Sequence, residues 1–154
     1  MATDDDWIEN HIRFRAGKHK LPTGVTQFFD SLDADAREAI SHQLDDAHGA
    51  PVLVAYDSPD RWAVITSRHF VGFDNAQLLS CAHSDINAIT SRDYPPTDWR
   101  KRGIPHSELG RLKGQWEYLR ITTNDDLTLD YWVPPGSEAF AFWNILLVLS
   151  RMAA

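Results

Sequence analysis

Only one cysteine, Cys81, occurs in the 154 residues. No disulfide can form within the chain, and a reducing, cytoplasmic setting is the expectation. There is no glycine-rich phosphate loop, no Walker pattern, no dinucleotide fingerprint and no Gly-x-Ser-x-Gly elbow. An enzymatic reading therefore has no specific motif behind it, and neither a catalytic residue nor a cofactor is expected. No apolar run reaches the ~20 residues that cross a bilayer. The richest stretch, Phe140 to Leu149, is interrupted by Asn144. The start, Met1-Ala2-Thr3-Asp4-Asp5-Asp6, is acidic and lacks the basic and apolar regions of a secretory signal, so none is expected.

Positive charge is also scarce. The chain carries 15 Lys and Arg against 22 Asp and Glu, a net charge of −7. The excess is uneven: residues 1–60 hold twelve acids and five bases, residues 61–113 five acids and eight bases, and residues 114–154 five acids and two bases. A chain this acidic is a poor general binder of nucleic acid or anionic membrane and a reasonable binder of something basic. Keeping the protein soluble is the plainer use of the same acids. Six Trp, seven Phe and four Tyr indicate a folded globular chain, and the length suits a single domain with its own core.

The most apolar segment is the last one. Ser137 can cap a helix start, Glu138 suits its positive end, and Pro134-Pro135 ends the preceding strand. Phe142, Trp143, Leu146 and Leu149 fall on one side, widened by Phe140, Ile145 and Leu147. This helix must be buried along most of its length, as a plug against the open end or face of a sheet. Trp143 and Leu146 are expected at the contact.

The sequence before it divides near Pro51. Upstream, residues 1–50 read as helical. Asp4–Arg15 forms a first helix with Ile8 and Ile12 on one face, ended by Gly17. A short helical turn follows over Thr26–Leu32. Asp35 and Glu38 have capping-box spacing at the start of a helix from Ala36 to about Ala47, with Ile40 and Leu44 inward. Downstream, residues 51–154 change to period two. Pro51–Tyr56, Trp62–Ser67, His69–Phe73 and Gln77–His83 read as a meander, with turns at Asp57-Ser58-Pro59-Asp60 and Asp74-Asn75-Ala76. Trp62 and Val64 face one way, Ala63 and Ile65 the other. Asp85–Thr90 is ambiguous, though Ile86 and Ile89 want burial. Residues 91–114 read as one long irregular segment. Trp116–Thr123 and Leu127–Val133 are strands, the second with Leu127, Leu129, Tyr131 and Val133 on one face and Thr128, Asp130 and Trp132 on the other. The expected fold is α+β: N-terminal helices, a bent antiparallel sheet or partly open barrel of about 6–7 strands, and a C-terminal helix packed on it.

The segment Trp62-Ala63-Val64-Ile65-Thr66-Ser67-Arg68-His69-Phe70-Val71-Gly72-Phe73 resembles the hairpin of bacterial pleckstrin-homology-like and GRAM-type domains. Phe140-Ala141-Phe142-Trp143 sits where their closing helix carries an aromatic. The resemblance covers about residues 50–154. It implies a small barrel that binds phosphoinositides or proteins without catalysis. Lipid-binding members carry a basic cluster in the first hairpin, whereas the corresponding turn here, Asp57-Ser58-Pro59-Asp60, is acidic.

Cys81 and His83, two apart on an expected strand, are a possible nucleophile and base, but a lone cysteine is more often a small core residue. His11 with His19, His42 with His48, and His69 with His83 lack the spacings of known metal sites, so no metal is expected. Arg92, Arg100, Lys101, Arg102, Arg111 and Lys113, interleaved with Tyr94, Trp99 and Trp116, form the best positive patch and are the candidate site for an anionic ligand such as a lipid head group or nucleic acid. Asp45-Asp46, expected at a helix C-terminus where the dipole disfavours them, stand out among the acids.

The composition fits an acidic protein-binding inhibitor, of the kind immunity proteins represent when they cover the basic active site of a bacterial toxin. On this reading Asp35, Glu38, Asp45 and Asp46 attract a basic protein partner, and Trp7, Trp99 and Trp132 are the candidate anchors.

Overall fold

The computed structural model describes residues 2–22, 24–92, 103 and 117–153. It is α+β, with two antiparallel sheets and a C-terminal helix against them. Helix α1 spans Ala2–Lys18 and strand β1 Thr26–Phe28. Helix α2 spans Ala34–Gln43. Strands β2 (Pro51–Ser58), β3 (Arg61–Thr66), β4 (His69–Asp74) and β5 (Gln77–Ala82) follow as a meander. Strands β6 (Ile86–Ser91), β7 (Tyr118–Thr123) and β8 (Thr128–Trp132) form the second sheet, and α3 spans Ser137–Ala153. The orders are β1-β2-β3-β4-β5 and β6-β7-β8, and the two sheets do not close into a barrel. No helix among the described residues is long and apolar enough to cross a membrane.

Both faces of the larger sheet are covered, which is why β2 and β3 read as nearly continuous apolar runs. Ala63 and Ile65 point into the main core with Ile12 and Ala16 of α1 and Phe142, Ile145 and Leu146 of α3. Trp62 and Val64 point the other way, onto Ile40 of α2 and Val71. The two sheets meet through an aromatic stack, through Arg61 of β3 over the Trp132 ring and through the Tyr118 hydroxyl, which donates to Asp74 at 2.8 Å. Tyr131 of β8 stacks on Phe70 of β4 at 4.0 Å, and its hydroxyl donates to the Phe70 carbonyl at 3.0 Å.

Gly72 makes that approach possible. A Cβ there would lie 2.7 Å from Tyr131 Cδ2. The Tyr131 ring is buried and tied by its own hydroxyl, so it cannot give way. Gly72→Ala is therefore expected to destabilise the protein by about 1–3 kcal/mol, the usual penalty of overpacking. Chemical denaturation checks it, and an unchanged midpoint would mean that the sheets part readily at this point.

The structure departs from the sequence reading at several ends. Helix α1 runs past Gly17 to Lys18. Residues 26–28 form an edge strand on β2 in place of a helical turn, with only Phe29–Ser31 helical, as a 3-10 turn. The first 50 residues thus contribute to the sheet, and the described residues hold eight strands. A three-residue strand is too short to show a period. Its start is fixed from far away, because the Thr26 amide donates to Glu138 Oε1 of α3 at 3.0 Å. Helix α2 begins earlier than expected, with Asp33 as the cap accepting from the Ala36 amide at 2.8 Å, and ends at Gln43. A register shift between Ile86 and Ala88 lets Ile86 and Ile89 both pack on the core, which strict alternation forbids. Leu127 lies outside β8 and is exposed.

Candidate functional site: an acidic groove beside helix α2

Helix α2 is held to the sheet by Ala36 and Ile40, both buried. With that face inward, Asp35, Glu38, Ala39 and His42 form a stripe on the outer side, at the three- and four-residue steps of a helix. Opposite them stand Pro59 and Asp60 of the β2–β3 turn and Phe73 at the end of β4. Between the two walls lies an open groove of about 410 Å³. Phe73 is set by its neighbour in register, Trp62, whose ring stacks on it at 5.9 Å.

The carboxylates are concentrated enough to be felt by a neighbouring residue. The Tyr56 phenol is pushed above its ordinary pKa by burial first, and then by the negative fields of Asp33, Asp35 and Asp60. Among the described residues no ion pair reaches Asp35, Glu38 or Asp60. Other acids are neutralised locally: Asp30 meets Arg13, Asp57 meets Arg61 and Asp130 meets Arg120. The groove is thus an apolar floor between two acidic rims with no internal counter-charge among those residues, and it suits a cationic side chain carried on an apolar or aromatic neighbour.

Sequence reasoning placed Asp35 and Glu38 correctly on one helix but missed Asp60, His42 and Phe73 as their companions. Asp60 and Phe73 come from hairpin ends that only the fold brings beside α2. The 35/38/39/42 spacing was the available signal for His42.

The remaining candidates lie elsewhere. Asp45 and Asp46 do not end a helix. Asp45 caps a separate 3-10 turn, Asp46–His48, accepting from the Ala47 amide at 2.9 Å while its own amide donates to His48 Nδ1 at 3.0 Å. The same His48 nitrogen lies 3.2 Å from the Asp45 carboxylate. Neither residue lines the groove. Trp7 is 60% exposed, but it stands on α1, against the opposite face of the sheet from α2. Trp132 is not an exposed anchor. It is 4% exposed and roofed by the Arg61 guanidinium at 4.7 Å, which turns the expected polar face of β8 into covered surface. Arg92 lies over the Tyr118 ring at 3.7 Å. Trp99, Arg100, Lys101, Arg102, Arg111 and Lys113 fall outside the described residues.

Cys81 and His83 do not share a strand. The strand ends at Ala82, and His83 starts a 3-10 turn. Burial, helped by Asp85, pushes the Cys81 thiol up to about 11, so it stays protonated at neutral pH. His83 is held down to about 4, chiefly by burial. Among the described residues no three His, Cys, Asp or Glu side chains converge as metal ligands.

No protein-family model, no curated protein and no solved structure matches this chain.

Proposed function

We propose that this is a non-enzymatic protein-binding module, an acidic inhibitor of the immunity type, which receives a basic protein partner in the groove between α2 and the β2–β3 turn. One observation carries the reading: Asp35, Glu38 and Asp60 converge around Phe73 with no ion pair among the described residues to neutralise them. Carboxylates so placed raise the encounter rate with a basic surface, and the Phe73 floor gives a docked side chain something apolar to cover. The likeness to a pleckstrin-homology-like barrel belongs to the same proposal, supported by antiparallel strands followed by one closing helix. So does a cytoplasmic setting, in which Cys81 stays a free thiol.

A peptide rich in Lys and Arg serves as the probe, followed by amide chemical shifts. Shifts are expected at Asp35, Glu38, His42 and Asp60, fading steeply with added salt, because exposed charges are screened beyond about 10 Å at 0.1 M. Together, Asp35→Asn, Glu38→Gln and Asp60→Asn should remove most of the response and leave the denaturation midpoint within about 0.5 kcal/mol. A response that survives the triple substitution would overturn the assignment to this groove. Shifts confined to residues 92–113, given by inositol phosphate and not by the peptide, would favour the anionic-ligand reading instead.

A further inference from the structure

Among the described residues, the two exposed aromatics are Trp7 and Phe14, at 60% and 58% exposure, and both belong to α1. Seven residues apart, they lie on one side of the helix, about 10 Å from each other along its axis. The opposite side of α1 carries Ile8, Ile12 and Ala16 into the main core, so the Trp7–Phe14 side turns outward. Each ring is braced by the residue four positions on. His11 stacks on Trp7 at 5.6 Å, and the Lys18 ammonium sits over the Phe14 ring at 5.0 Å. Rings already held in place lose little freedom when something docks on them.

Asn10 and Gly17 share this outer side and are exposed. Gly17 has no evident purpose within one chain. Its φ is negative, and nothing lies within 4 Å of where a Cβ would stand. Other residues fit there, and glycine weakens a helix relative to them. A second backbone approaching closely at this point gives the glycine a reason.

The unpaired charges of α1 are sorted by end. Asp5 is taken by Arg68, and Glu9 by Arg13, which also reaches Asp30. Among the described residues no ion pair holds Asp6 at the start, or Lys18 and Lys20 at the end, and all three are exposed. This order suits the dipole of one helix and also the opposed ends of two antiparallel ones.

We propose that the outer side of α1 pairs with α1 of a second copy, antiparallel across a two-fold axis. One register satisfies each feature. Trp7 lies level with Gly17 of the second copy, Phe14 with its Asn10, and Asp6 with its Lys18. Large rings meet small residues, each acidic start meets a basic end, and the two-fold axis repeats every contact. A parallel pair sets like charge beside like. A partner of one charge sign meets repulsion at one end of the helix, whereas a second copy matches both. A single helix pair buries less than the roughly 1,200–2,000 Å² of a standard interface, so the dimer is weak, with a Kd on the order of 100 μM. α1 and α2 pack on opposite faces of the larger sheet, so the acidic groove of each copy stays open.

The test is sedimentation equilibrium of the full chain up to about 1 mM, where a reversible monomer–dimer equilibrium is expected. Trp7→Gln should weaken the dimer about tenfold or more, since the ring is used twice. Gly17→Gln should weaken it by a similar factor, yet raise the denaturation midpoint of the dilute monomer, because glutamine favours a helix. Asp6→Lys should weaken it about threefold, and an equimolar mixture with Lys18→Glu should restore it. A chain that stays monomeric at about 1 mM would overturn the proposal and leave the outer side of α1 to a different protein. A dimer indifferent to Trp7→Gln and Gly17→Gln would overturn it too, because the contact then lies elsewhere.

Discussion

Phe142→Ala is expected to lower stability by about 3–5 kcal/mol, the range for an aromatic removed from a packed core. Phe142 is fully buried, and its ring sits 6.1 Å from Phe70, which in turn stacks on Tyr131. One side chain thus ties α3 to β4 and, through Phe70, to β8. The cavity left behind would be bounded by two sheets and a helix, which cannot all collapse into it. Leu146→Ala, also at a fully buried position, should cost about 2–5 kcal/mol. Trp143→Ala should cost less than either, because Trp143 is only partly buried and stacks on Phe140 at 6.3 Å. Urea denaturation of the three variants gives the ranking. The midpoint should fall with little change in slope, since the surface exposed on unfolding is nearly the same. A midpoint unmoved by Phe142→Ala would show that α3 detaches without consequence, and that its apolar face serves something other than this core.

That ranking also marks the reach of sequence. The apolar stripe of α3 was plain, because a 17-residue helix with this pattern leaves little choice of environment. Which of Phe142 and Trp143 points inward was not plain, since adjacent residues on a helix differ by about 100° and a wide stripe admits both. The meander from β2 to β5 was legible down to the opposite facings of Trp62 and Ala63, because period two is unambiguous over six residues. Trp132 was misplaced for a complementary reason. Its strand alternates as expected, but a guanidinium from another sheet covers the outward face. The acidic groove was half legible. Asp35 and Glu38 share a helix, whereas Asp60 and Phe73 reach them only through hairpin geometry that no local pattern encodes. The weight placed on Asp45-Asp46 came from a helix end set several residues too late. Once α2 stops at Gln43, Asp45 becomes a cap with its own hydrogen bonds.

Acidification should remove about 3 kcal/mol of stability through His83 alone. The ring's pKa falls from an ordinary 6.5 to about 4 in the folded protein, first because burial penalises the imidazolium and then because His69 lies nearby, while the Thr66 carbonyl pulls the other way. Between those two values the unfolded chain takes up a proton that the folded protein refuses, so stability rises with pH across that window. The contribution is whole above pH 6.5 and is lost as pH falls towards 4. At 1.36 kcal/mol for each unit, the gap gives the stated size. His69 and His11 are also depressed by burial and add to the same limb. Asp5 does not, because its carboxyl is held below 3.8 by the hydrogen bond from Arg68, and it acts only in stronger acid. His83→Gln separates these sources. Its amide can still donate to the Thr66 carbonyl, but it does not titrate. The fall in unfolding free energy between about pH 7 and about pH 4 should be shallower in this variant than in the wild type by about 3 kcal/mol, with the His69 and His11 parts left in place. Equal acid limbs in the two proteins would mean that the His83 ring is hydrated when folded, and that burial does not exclude its charged form.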